Sequence, residues 1–107
     1  MVQSITGSVS DAAPGLLHGE YKIPGGKLVV VDLRVADGRL RDVQLSGDFF
    51  MEPPETLEAI NAALNGLPVA AGAADIEQAV QAVLGPEVML YGLTPEGIAV
   101  VVERALS

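Results

Sequence analysis

The sequence predicts an α+β domain of two layers, a three-stranded antiparallel sheet backed by helices. Two observations carry this prediction. Apolar residues alternate with a period of two as far as Gly47, and beyond Pro53 they recur at helical spacing. Turn and cap residues punctuate both halves, so strands and helices segregate along the chain.

A first strand is expected over Leu16–Ile23 (LLHGEYKI), ended by the turn-forming triplet Pro24-Gly25-Gly26. KLVVVDLRVA, Lys27–Ala36, is rich in β-branched residues. It sets Val29, Val31, Leu33 and Val35 on one face and Asp32 and Arg34 on the other. Asp37-Gly38 suits a two-residue hairpin, after which RLRDVQLSG resumes the alternation with Val43 and Leu45 inward. Leu40 has the opposite parity, which calls for a bulge or an edge position. The economical arrangement is a meander of three strands.

After Pro53-Pro54, the residues Leu57, Ile60, Leu64 and Leu67 share a helical face. Glu52, Glu55 and Glu58 crowd its start, where carboxylates suit the positive end of the helix dipole, and Gly66 marks a stop. Asp75 is the expected cap of a second helix carrying Ile76, Ala79, Val80, Val83 and Leu84 on one face, ended by Gly85-Pro86. Thr94-Pro95-Glu96 supplies a cap, a first-turn proline and an early acid for a third helix containing Ile98, Val101, Val102, Ala105 and Leu106. Residues 1–15, rich in Ser, Gly, Ala and Asp, read as a loose leader, leaving residues 16–107 as one domain.

Composition narrows the function. The chain has no cysteine, which excludes disulfides, thiolate catalysis, sulfur relay and Cys-based metal sites. A net charge of −8 opposes binding to nucleic acid. No apolar run approaches the length of a membrane span and the N-terminus has no signal-peptide pattern, so a soluble, cytoplasmic protein is expected. The charge is uneven: residues 1–51 carry five cations and six anions, whereas residues 52–107 carry Arg104 and eight anions. A surface that approaches an anionic ligand must therefore come from the first half.

Catalytic patterns are absent. His18 is the single histidine, with no neighbour completing a nucleophilic triad, and no metal-ligand spacing is present. Gly25-Gly26-Lys27 admits a phosphate-cradle reading, but it opens a strand rather than a helix, which favours a plain hairpin turn. In Ser46-Gly47-Asp48-Phe49-Phe50, both phenylalanines of the chain stand side by side. Extended backbone turns such neighbours to opposite sides, so one ring can enter the core while the other faces a partner; the alternative is that both plug the corner.

Taken together, HGEYKIPGGKLVVVDLRVADGRLRDVQLSGDFFMEPPETLEAINAAL, residues 18–64, is similar to the C-terminal accessory domain of bacterial lipoate-protein ligases and to its stand-alone form in split ligases. The hairpin Lys22/Gly25/Gly26/Lys27, the strand ending in Asp-Gly, the SGDFF corner and the acidic helix carry the resemblance, and GLTPEGIAVVVERAL, residues 92–106, looks like that family's last helix. The resemblance implies a SufE/NifU-like fold. It also implies a non-catalytic subunit that docks on a large catalytic subunit and supports formation of lipoyl-adenylate, with lipoyl-acceptor domains as indirect partners. Lipoate, ATP and Mg are then expected on the large subunit, and none on this chain alone. With such a partner, the charge split turns Lys22, Gly25, Gly26 and Lys27 toward it, and Gly47, Asp48, Phe49 and Phe50 of the corner complete the residues expected to meet it. The family's glycine-rich substrate loop and adenylate-contacting lysine have no counterpart here, so catalysis requires a second chain. Two alternatives are a SufE/NifU-like scaffold or adaptor without sulfur chemistry, and a lipoyl acceptor modified on Lys27 or Lys22.

Overall fold

The computed structural model describes residues 16–107; the leader expected over residues 1–15 lies outside them. In chain order the elements are β1 (Leu16–Lys22), β2 (Leu28–Ala36), β3 (Arg39–Gly47), β4 (Phe50–Glu52), α1 (Thr56–Leu64), α2 (Ala73–Gln81), β5 (Met89–Tyr91) and α3 (Pro95–Leu106). Strands β1, β2 and β3 form the antiparallel meander, and β4 pairs with β5 in a separate two-stranded ribbon. The α+β class and the three-stranded sheet agree with the sequence. The strict order of strands followed by helices does not, because β4 and β5 flank the first two helices.

Asp37 and Gly38 both have positive φ, 55° and 71°, as a tight hairpin of this type demands. The parity of Leu40 is resolved by a bulge in β3. Asp32 faces Gln44 while Arg34 faces Arg41, so Leu33 stands opposite both Asp42 and Val43. Asp42 takes up the extra residue at φ 51°, and Leu40, Val43 and Leu45 are all buried on one face.

That face meets α3 over β1 and β2 and α1 over β3, while α2 packs on α1 and α3 rather than on the sheet. Val29, Val31 and Leu33 interlock there with Ile60, Leu64, Ile98, Val101 and Val102, all fully buried. The approach of α3 to β1 is unusually close. A Cβ on Gly19 would stand 2.7 Å from the carbonyl oxygen of Val101 and 2.8 Å from the amide of Ala105, so strand and helix meet backbone to backbone.

The outer edge of β3 is covered instead of exposed. Asn61 and Asn65 of the α1 region accept hydrogen bonds from the amides of Leu45 and Val43, each at 3.0 Å. Farther along, Leu40 donates to the carbonyl of Leu67 and Val69 to that of Gly38, both at 2.8 Å. These bonds occupy donors that an edge strand otherwise leaves open to other chains.

Cap chemistry follows the sequence at α3 and departs from it at α2. The Thr94 hydroxyl accepts from the Gly97 amide at 2.9 Å with Pro95 in the first turn. Asp75, expected as the cap of α2, lies inside the first turn; Gly72 is the cap, and the Asp75 carboxylate accepts from its amide at 3.4 Å. The carboxylate therefore reaches backward over the helix start, as an acid three residues in can do.

Candidate functional site

Sheet register brings the two sequence-predicted site segments to one end of the molecule. Lys22 pairs with Leu28, and Val29 pairs with Gly47, so the β1–β2 turn and the corner after β3 emerge side by side. Lys22, Gly25, Gly26 and Lys27 lie on the turn, and Gly47, Asp48, Phe49 and Phe50 on the corner. The Asp48 amide donates to the carbonyl of Leu28 at 3.1 Å, stitching the two together.

In the turn, the amide of Gly26 donates to Ile23 at 2.8 Å and that of Lys27 to Gly92 at 3.0 Å. Two amides that a phosphate cradle needs are thus already used, and the hairpin-turn reading stands. Lys22 is committed as well: its ammonium donates to the carbonyls of Gly26 at 2.8 Å and Ile23 at 3.2 Å. Lys27, expected to open β2, lies just before it and is exposed.

The corner turns on Gly47. Its φ of 145° is in the region glycine favours, and an added Cβ would fall 2.2 Å from the carbonyl oxygen of Leu28. Beyond it the two rings separate as alternation requires. Phe49 is half-buried against the core, whereas Phe50 is 59% exposed and stacks on Tyr91, with ring centroids 4.5 Å apart and planes 14° from parallel. Met51 turns inward and is buried. Beside the stacked pair lies an open groove of about 300 Å³ lined by Phe49, Phe50, Met51, Glu52, Pro54 and Leu57.

Tyr91 and Met89 belong to this surface and were not among the expected site residues. The signal was the short apolar run Val88–Tyr91 between Pro86 and Thr94, too brief to separate strand from loop by periodicity.

His18 lies elsewhere, on the sheet face opposite the helices. Its Nδ1 is 2.7 Å from Asp32 and its Nε2 2.8 Å from Glu20. Hydrogen bonds first to Glu20 and then to Asp32 raise its pKa above the ordinary 6.5. Carboxylates on both nitrogens favour the imidazolium and leave neither nitrogen to act as a base on a nucleophile. Among the described residues no group of three His, Cys, Asp or Glu is placed to hold a metal ion. No helix among them is long and apolar enough to cross a membrane.

No protein-family model matches the sequence, and no curated protein matches it significantly. A similar solved structure is a chain from the bi-partite lipoate protein ligase and lipoyl domain of Thermoplasma acidophilum, with 24% identity and a TM-score of 0.59. The match covers 86% of this chain and 92% of that one, so the two have nearly equal lengths. At this identity the likeness is one of fold.

Proposed function

We propose that this chain is the non-catalytic accessory subunit of a lipoate-protein ligase, docking on the large catalytic subunit to support ATP-dependent formation of lipoyl-adenylate. The observation that carries the reading is the fold shared along most of both chains with a component of a bi-partite lipoate protein ligase system. The independent resemblance of residues 18–64 and 92–106 to the accessory domain, a SufE/NifU-like fold in that family, points the same way. A lipoyl-acceptor role fits less well, since such carrier domains are nearly all β and this chain has three helices.

The chemistry of the residues is consistent with a partner that fits rather than reacts. There is no thiol, and the single histidine is held between two carboxylates away from the turn and corner. Docking of a rigid domain over an active site excludes water and restricts the substrates, which favours attack of the lipoate carboxylate on ATP. Lipoate, ATP and Mg belong to the large subunit in this reading. The exposed Lys27 is the cation of the turn best placed to face that anionic site, because the Lys22 ammonium is tied to its own turn.

The test is reconstitution of the chain with the large ligase subunit of the same cell, measuring lipoyl-adenylate with ATP and lipoate. Adenylate formation should depend on this chain and weaken in Lys27→Glu. Equal rates with and without the chain overturn the accessory role; wild-type rates with Lys27→Glu reject the turn as the facing surface.

A further inference from the structure

The β4–β5 ribbon has an outer face that the core does not use. Register pairs Phe50 with Tyr91 and Glu52 with Met89, which puts these four side chains on one side and Met51 on the other. Phe50, Met89 and Tyr91 are 59%, 52% and 37% exposed. A ribbon of three-residue strands is marginal by itself, and its stacked aromatic pair, left largely in water, contributes less to stability than burial of the same rings would. Stacked, the rings form a stiff apolar plate, the kind of surface that loses little entropy when a partner covers it.

Away from the β1–β2 turn, the charge around this plate has one sign. From Asp42 through Glu103 the sequence holds ten carboxylates and no Lys, Arg or His. Four of them, Asp48, Glu52, Glu55 and Glu58, are exposed on the segments that lead into and out of β4, and Glu52 also lines the groove. Such a field disfavours a second copy of the same face, a free fatty-acid carboxylate and nucleic acid alike, and favours a basic protein surface.

We propose that the outer face of the β4–β5 ribbon, Phe50, Tyr91, Met89 and Glu52, is a docking site for a protein surface with an apolar centre rimmed by Lys and Arg. It rests on the accessory reading in one respect: the partner is the large ligase subunit. Lys27, whose amide is bonded to Gly92 next to Tyr91, borders this face on the turn side. A partner covering the ribbon therefore also meets Lys27, the cation of the turn whose ammonium is not bonded back to the turn as that of Lys22 is. The two surfaces orient the complex, with the ribbon against basic protein and Lys27 toward the anionic substrates.

Titration calorimetry of the large subunit with the wild-type chain, Phe50→Ala, Met89→Ala and Glu52→Lys, at low and high salt, tests the assignment. Phe50→Ala should raise Kd about tenfold or more, as loss of a central aromatic anchor does. Glu52→Lys should weaken binding at low salt and flatten its salt dependence. All three sites are on the exposed face or its rim, so far-UV circular dichroism should match the wild type, with the unfolding midpoint lowered only slightly in Phe50→Ala by loss of the stack on Tyr91. Wild-type affinity in every variant overturns the ribbon as the docking face, and so does self-association of the chain alone that Phe50→Ala abolishes. Absence of any binding overturns both readings. Binding that obeys the variants but leaves adenylate formation unchanged sinks the accessory function and keeps the face; stimulated adenylation with unaltered variant affinities does the reverse.

Discussion

The amide of Lys27 donates to the carbonyl of Gly92 at 3.0 Å, tying the β1–β2 turn to the residue that follows β5. The contact is tight on the Gly92 side. That residue has φ 82°, and a Cβ there would stand 2.3 Å from Cγ of Lys27. Gly92→Ala is expected to cost about 1–2 kcal/mol from the left-handed backbone, with the crowding of Lys27 added to it. A urea unfolding midpoint equal to the wild type contradicts this junction.

Gly19→Ala tests the contact of β1 with α3. The new methyl meets backbone atoms of Val101 and Ala105, which cannot rotate away, so the helix must lift from the strand. A loss of roughly 1–3 kcal/mol is expected, the range for overpacking a close-fitted interior. Unchanged thermal stability contradicts a backbone-to-backbone contact of β1 with α3.

Asn61 distinguishes a hydrogen-bonded strand edge from simple packing. Asn61→Ala removes the acceptor for the part-buried Leu45 amide and should destabilise by about 1–3 kcal/mol. Asn61→Asp retains an acceptor and should lose less. The order Asp worse than Ala, in urea titrations at pH 7, counts against the role assigned to the amide oxygen.

His18 supplies a pH signature. Its folded pKa is raised above the unfolded value of 6.5 by Glu20 and Asp32, so the fold favours the protonated ring. The resulting stability is fully present below pH 6.5 and is lost as pH rises through the folded pKa. Nuclear magnetic resonance titration of the ring protons should give a midpoint above 6.5 that falls in Glu20→Gln and again in Asp32→Asn. A midpoint indifferent to both substitutions removes the carboxylates as its cause.

Most strands and helices are legible because their signals are local. The period of Val29, Val31 and Leu33, the Asp37-Gly38 turn and the Thr94-Pro95 cap each act through a few neighbouring residues, and the structure keeps all of them. Alternation of the extended backbone offers the separation of Phe49 from Phe50 as one of two readings, and the exposure of Phe50 selects it over both rings plugging the corner. The cap of α2 shows the limit of such signals: Asp75 serves a helix start either as cap or from inside the first turn, and only the backbone path around Gly72 selects between them.

By itself the sequence determined the α+β class, the meander, three helices, the absence of thiol chemistry and the uneven charge, all of which depend on residue identity or short-range spacing. Tertiary structure alone decided that Phe50 stacks on Tyr91, that Gly19 lies against α3, and that the Lys27 amide bonds to Gly92. Those relations join residues far apart in the chain. Their free energy comes from closing long loops onto particular partners, and no local pattern records which partner is met.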